Sequence, residues 1–198
     1  SPLNQNGGFR FTSNAFAREA RNTSTTAQLY SNFPGGRSNE LIVGYSTIKD
    51  ERLVPVQAPE VSVGVNVGGV VRAVTFGTEQ FSPNNLLEQD IFEVIDNFTV
   101  PMGAHTVTVG GRFDHTHIFN NFAQGAFGVY KFNTIAQLNA NTPVGYAVGY
   151  PNSGNAADIP ADFRIQVLSF YGQDQWTVND RFTVTFGLRA DVPSMLDK

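Results

Sequence analysis

The stretch from Leu168 to Asp191 has the clearest alternation of apolar and polar side chains in the chain. From Phe182 to Ala190, apolar residues occupy every second position, and polar or small residues lie between them. Successive side chains of a strand point to opposite faces, so this pattern predicts a strand with one wholly apolar face. The Asn179-Asp180 pair predicts a tight turn to a preceding strand, and the two strands form a β-hairpin.

The same reasoning along the whole chain predicts six long strands in three hairpins. They are residues 25–33, 40–52, 89–100, 105–119, 164–178 and 181–192. Two long connections, 53–88 and 120–163, separate the hairpins, and we expect short strands near 61–65 and 70–76. We expect residues 126–132 to extend the sheet, and residues 134–139 (TIAQLN) are the best candidate for a short helix.

An antiparallel meander with short turns at one end and long loops at the other is the layout of outer-membrane barrels. Soluble sandwiches usually keep both ends short, with strands every 8 to 12 residues. The predicted fold class is therefore all-β: an antiparallel up-and-down meander, part of a large transmembrane β-barrel, with long extracellular loops and at most one short helix. All 198 residues would form a single segment of that barrel domain.

Composition narrows the class of protein. Net charge is -4, which excludes a basic footprint for nucleic acid. Charged residues are 15% and aromatic residues 12%, and 19 glycines favour strands and turns over helices. With 0 cysteines, neither disulfides nor thiolate metal sites hold the fold together. No apolar run has the length of a membrane helix, but barrel strands alternate and give no such run.

SFYGQDQWTVNDRFTVTFGLRAD, ending at Asp191, is similar to the barrel hairpin "YxQDxW-(turn)-LTLxxGLRxD" of TonB-dependent outer-membrane receptors, in the branch that carries a carboxypeptidase-regulatory-like domain before the plug. The segment from Asp96 to Gly111 resembles the hairpin "DNxTxxxGxHTxxxGG", and FGVYKFNTIAQL resembles the "GxYxFxSLxDFL" element that follows it. Phe182 stands where the family usually has Leu, and Ala190 where an aromatic residue is common.

The resemblance implies a barrel of twenty-two strands with an N-terminal plug that imports a bulky nutrient, such as a siderophore, glycan or peptide. The six strands of this chain would form part of the wall, and nothing in the sequence resembles the plug. We therefore expect an internal fragment of a receptor in the outer membrane of a Gram-negative-type bacterium. Its expected partners are outer-membrane lipid, the rest of the barrel and plug, and a TonB-type energy coupler, without nucleic acid or cofactor.

In this interpretation the alternating residues divide between two environments. Lumen-facing candidates are Arg112, Asp114, Thr183, Thr185 and Arg189, and lipid-facing candidates are Val107, Val109, Phe113, Val184, Phe186 and Leu188. The long connections would be extracellular and would contact ligand.

Candidate chemistry is sparse. His115 and His117 lie on one strand face at a spacing that can share a metal, but no third ligand is evident nearby, so a polar strand end explains them better. The Gly64–Val71 stretch lacks the Gly-Lys-Ser/Thr of a phosphate loop, and no Gly-x-Ser-x-Gly elbow is present. We therefore do not expect an enzyme. Tyr171, Phe170 and Trp176 are expected in an aromatic girdle at the membrane interface.

Two alternatives to the receptor remain open at this point. One is a soluble β-sandwich that binds a ligand with its loops. The other is a β-rich fragment that self-associates through open sheet edges into a structural assembly or filament.

Overall fold

A computed structural model describes residues 8–196 as an all-β protein with one short α-helix. Strands are β1 (Phe9–Arg10), β2 (Ala17–Phe33), β3 (Arg37–Leu53), β4 (Glu60–Val67), β5 (Val70–Phe76), β6 (Leu86–Met102), β7 (His105–Asn121), β8 (Val129–Phe132), β9 (Gly145–Ala147), β10 (Ala161–Asn179) and β11 (Phe182–Leu196). The helix, α1, is Ile135–Asn139. None of the helical segments within residues 8–196 is long and apolar enough to cross a bilayer.

Six long strands form one sheet in the order β11-β10-β7-β6-β3-β2. Their order along the chain matches their order in the sheet, apart from the segments inserted after β3 and β7, so the predicted meander is confirmed. Strands β2, β3, β6 and β7 have 17 residues each, several times the usual length in globular sheets. The two edges of this sheet are β2 and β11.

A second sheet, in the order β1-β5-β4-β8-β9, takes four of its strands from the long connections and β1 from the segment before β2. Short strands were expected near residues 61–65 and 70–76, and β4 and β5 confirm both. The prediction that residues 126–132 extend the main sheet is wrong, because β8 pairs in parallel with β4 and antiparallel with β9. Helix α1 forms where expected, and the Thr134 side chain caps it by accepting a hydrogen bond from the Gln137 backbone N–H.

The chain divides into two compact units. The first comprises residues 8–21, 49–87 and 119–161, and the second comprises residues 22–48, 88–118 and 162–196. Buried hydrophobic side chains among residues 8–196 are Val63, Ala123 and Phe132, all in the first unit. The second unit, made of the long strands, therefore has no buried apolar core within the described residues.

The first unit also holds a buried polar network. Asn14 is 3% exposed and donates from Nδ2 to Glu60 at 3.0 Å, and Glu60 also accepts from the Gln80 backbone N–H at 3.0 Å. These bonds join the segment after β1 to the start of β4. At the exposed ends of β2 and β3, Arg18 donates to Asp50 and thereby lowers the pKa of that carboxyl.

The long strands exceed their predicted bounds mainly where no apolar pattern marks them. Strand β2 begins at Ala17, eight residues before the predicted start, in the polar run AREARNTS. Pairing with β3 holds this run in the sheet, and side chains that are polar on both faces leave no alternation to detect.

Gly77 is where a side chain would most disturb the second sheet. Its φ is +84°, and an added Cβ would overlap the Pro59 backbone carbonyl. Gly77→Ala should therefore cost more than the about 1–2 kcal/mol of a left-handed alanine, because backbone must move. Gly68→Ala is the matched control, since Gly68 has a φ of +61° and open space around it. Limited proteolysis of residues 53–88 measures the effect, and equal resistance of the two variants would contradict the clash.

Candidate functional site: the two faces of the long sheet

One face of the long sheet is apolar and open. In the register of β10 with β11, Trp176 faces Val184, Gly172 faces Leu188 and Phe170 faces Ala190. Leu188 is 88% exposed and Phe170 58% exposed. A two-sheet sandwich would bury these side chains, but the structure leaves them open.

We call the large apolar side chains on this face of β6, β7, β10 and β11, between Trp176 at one end and Gln166 at the other, the apolar belt. Its members are Val94, Phe98, Val107, Val109, Phe113, Leu168, Phe170, Val184, Phe186, Leu188 and Val192. The six residues predicted to face lipid all lie in it, three on β7 and three on β11. Whether lipid covers the belt stays a prediction.

The rings of His105 and Trp176 mark the end of the apolar belt that lies near the short turns. The imidazole of His105 stacks on the Trp176 indole with ring centroids 5.6 Å apart. His105 Nδ1 also lies 2.7 Å from Asp174 Oδ2. Trp176 therefore lies at one end of the apolar belt, and its place in an aromatic girdle at the membrane interface stays a prediction.

Histidines bound the other end of the apolar belt. Gln166 donates to His115 Nδ1 at 3.1 Å, and His117 Nε2 lies 2.8 Å from Asp162 Oδ1. Within residues 8–196, no three His, Cys, Asp or Glu side chains converge to hold a metal ion. Each imidazole instead has a hydrogen-bonding neighbour on β10.

The spacing of these boundaries sets the height of the apolar belt. Ten residues separate His105 from His115 on β7, and ten separate Trp176 from Gln166 on β10. At about 3.3 Å per residue and a tilt of about 40°, ten residues rise about 25 Å. That height equals the apolar band of outer-membrane barrels.

The opposite face is polar and carries the residues predicted to face a lumen. Arg112 pairs with Glu93 at 2.5 Å and with Asp114 at 2.8 Å. Thr183 and Thr185 lie opposite Thr177 and Gln175 in the register of β10 with β11. The structure thus puts all five candidates on one face, and their exposure to a lumen stays a prediction.

A line of hydrogen-bonding side chains crosses this polar face. On β2 and β3, Gln28 donates to Glu40, and Glu40 accepts from Asn97 of β6 at 3.4 Å. Asn97 in turn accepts from the Tyr171 hydroxyl of β10. Arg189 of β11 lies over the Tyr171 ring, with its guanidinium carbon 5.7 Å from the ring centroid. We call this line the polar track.

Gly110 lets the polar track cross β7. A Cβ at Gly110 would lie 2.6 Å from the Tyr171 ring and 2.7 Å from Asn97 Oδ1. The Tyr171 ring therefore rests on bare backbone and reaches past β7 to β6. Gly111, the next residue, points to the other face, where its nearest neighbour would be 3.6 Å away.

The apolar belt has one polar interruption near its middle. Asp96 of β6 lies between Val94 and Phe98, and Asn39 of β3 donates to it from Nδ2 at 2.7 Å. Beside Asp96 the belt has a hollow of about 470 Å³ over Gly111, walled by Phe113, Phe170 and other belt residues.

A separate cavity of about 270 Å³ lies within the connection between β7 and β10. Phe122, Tyr150, Asp158 and Ile159 contribute to its walls, and Tyr150 is 73% exposed. Part of the connection predicted to contact ligand is therefore a concave surface with an aromatic ring.

Sequence reasoning missed the polar track and misplaced part of the girdle. Tyr171 was grouped with Phe170 and Trp176, but it points to the polar face, as its odd position relative to both requires. The signal that could have found this is the alternation itself, because adjacent residues of a strand cannot share a face. Phe170 lies inside the apolar belt and not at its edge.

Comparison with known proteins places this chain in a family. Residues 4–197 match the family model described as outer membrane beta barrel domain. No curated protein and no solved structure matches the chain. The match covers nearly the whole chain, so the chain belongs to the outer membrane beta barrel domain family and is a protein of the outer membrane.

Gly110→Ala tests the polar track. The methyl group would displace Tyr171 from its site over β7 and break its hydrogen bond to Asn97, at a cost of about 1–3 kcal/mol. Gly111→Ala is the matched control on the opposite face, with an expected change within about 0.5 kcal/mol. Urea unfolding of the full-length protein in phospholipid vesicles measures both, and equal midpoints would show that the close approach is not needed.

Proposed function

We propose that this protein is part of the barrel wall of a TonB-dependent outer-membrane receptor that imports a bulky nutrient: a siderophore, glycan or peptide. The apolar belt faces outer-membrane lipid, and the polar face lines the lumen. The observation that carries this proposal is the belt itself, which is exposed and backed by a hydrogen-bonded polar face, and which would rise about 25 Å at the tilt of a barrel strand.

The open edges of the long sheet support a barrel wall that other strands complete. β2 and β11 have one sheet neighbour each among the described strands, so each edge presents unpaired N–H and C=O groups. Such groups are costly in lipid, and closure into a barrel satisfies them. The remaining receptor barrel is the proposed partner of both edges, and self-association through them is the competing possibility.

Two further features support a receptor over a simple pore. Motifs from three segments resemble TonB-dependent receptors and occur in family order along the chain. The long connections contribute four strands to a second sheet, and the connection between β7 and β10 holds a cavity lined in part by Tyr150 and Asp158. In the proposal these connections lie outside the cell and contact the nutrient, and the plug and energy coupler complete the transport cycle. The role is transport without catalysis.

A charge on the apolar belt tests the lipid-facing role. Leu188 lies midway between the Trp176–Val184 row and the Gln166–Ser194 row of the sheet. Leu188→Arg should cost about 2–4 kcal/mol, because a guanidinium near the bilayer midplane loses its hydration.

Thr185→Arg is the matched control on the polar face, with an expected cost below about 1 kcal/mol. The free energy of unfolding of the full-length protein in phospholipid vesicles is the measurement. Equal costs at the two positions would remove the distinction between a lipid face and a lumen face.

Energy coupling is tested by binding of the purified periplasmic domain of the host's TonB-type coupler to the full-length protein in detergent. Surface plasmon resonance should show saturable binding, while a full-length porin of the same membrane should show none. Absence of binding to the full-length protein would refute the TonB-dependent role and leave the outer-membrane barrel intact.

A further inference from the structure

We propose that Asn39 and Asp96 form the centre of an interface between two copies of this chain within the membrane. The inference rests on the proposed lipid-facing role of the apolar belt. Its starting point is a carboxylate that lies where the belt is otherwise built of Val, Leu and Phe.

Other carboxylates on this face lie towards the ends of the belt, and each has a partner there. Asp174 lies beside His105, Asp162 beside His117, and Asp90 accepts from the Tyr45 hydroxyl at 3.1 Å. Asp174 lies opposite Phe186, in the row next to the His105–Trp176 boundary, and its Oδ1 atom is buried without a hydrogen-bond partner among the described residues. Asp96 differs because apolar side chains lie on both sides of it along β6.

Asn39 satisfies only part of the hydrogen-bonding capacity of Asp96. One amide N–H of Asn39 donates to Asp96 Oδ1 at 2.7 Å. Within residues 8–196, the second amide N–H of Asn39 and the Oδ2 atom of Asp96 have no hydrogen-bond partner. The pair therefore presents one free donor and one free acceptor at the surface of the belt.

A two-fold axis matches that free donor to that free acceptor. In an isologous dimer, Asn39 of each copy faces Asp96 of the other, so two amide–carboxylate bonds form across the axis. Polar contacts of this kind hold transmembrane helices together in lipid, where apolar surface alone gives little driving force, and the same argument applies to two apolar sheet faces. Acyl chains offer no donor or acceptor, so lipid leaves the same groups unsatisfied.

The hollow beside Asp96 gives the second copy room to approach. It measures about 470 Å³ and opens over Gly111, where no side chain rises from β7. Exposed apolar side chains such as Leu29, which is 60% exposed, are available on the same sheet to fill the equivalent space on the other copy. The surface is thus both polar at its centre and recessed beside it.

The test uses the full-length protein in native outer membranes. These 198 residues contain 0 cysteines, so Val94→Cys adds the chain's one thiol two residues from Asp96, in a full-length background with any other cysteine replaced by serine. A short bis-maleimide should cross-link Val94→Cys into dimers. Leu188→Cys, an equally lipid-facing position on the edge strand β11, is the control and should give at least ten-fold less dimer.

Three second-site variants decide what holds the dimer together. In the Val94→Cys background, Asp96→Leu and Asn39→Leu should each lower the dimer yield at least ten-fold. Asp96→Asn should lower it as well, because its amide has one oxygen where the carboxylate has two, and both carboxylate oxygens accept from Asn39 side chains. Heat-modifiable gel mobility of each variant shows whether the barrel remains folded.

Three results would overturn the interface. The first is a dimer yield unchanged by Asp96→Leu in a folded barrel, and the second is equal cross-linking at Val94→Cys and Leu188→Cys. The third is the absence of any dimer, which would leave lipid as the occupant of the hollow. Failure of the proposed function would give a different result. In that case the protein would tolerate Leu188→Arg as well as it tolerates Thr185→Arg.

Discussion

The structure depends on one constraint: a long strand that presents apolar side chains on one face must have an apolar environment on that face. Most proteins supply that environment from their own interior. Here the long sheet has no buried apolar side chain within residues 8–196, and Leu188 is 88% exposed. A hydrocarbon layer is the environment that fits, and the ten-residue spacing of the bounding residues matches its thickness.

The polar face meets the complementary requirement. Six strands packed side by side bring many polar groups together, and charges there need partners. Arg112 lies between Glu93 and Asp114, and the polar track joins five strands while passing over the sixth at Gly110. In the proposed barrel, a wall that is stiffened on its lumen face can leave its lipid face free of specific contacts. Asp96 is an exception to this separation of polar and apolar faces, because it is a carboxylate on the apolar face.

Alternation and turn residues predicted the sheet well. The six long strands, their three hairpins, α1 and two of the short strands follow from local patterns, because side-chain period and turn chemistry are local properties. The early start of β2 could not be predicted from local patterns, since residues 17–24 have polar side chains on both faces. The pairing of β8 with β4 could not be predicted from local patterns either, because it joins residues almost 70 positions apart in the sequence.

The polar track and the Asn39–Asp96 pair show the same limit. Tyr171 and Asn97 are 74 residues apart, and Asn39 and Asp96 are 57 apart, so their contact depends on the register of the whole sheet. Gly110 is informative only once Tyr171 is known to lie above it. The sequence could predict which face of its strand each residue occupies. The residues that it contacts on other strands could be identified only from the fold.

The most direct test of the account is a spin-label scan of β11, with one cysteine at a time from residue 183 to residue 192 of the full-length protein in bilayers. Collision rates with oxygen and with a water-soluble nickel complex report exposure to lipid and to water. The account predicts a period of two, with oxygen access highest at 184, 186, 188, 190 and 192 and nickel access highest at the odd positions. Uniform nickel access at every position would contradict it.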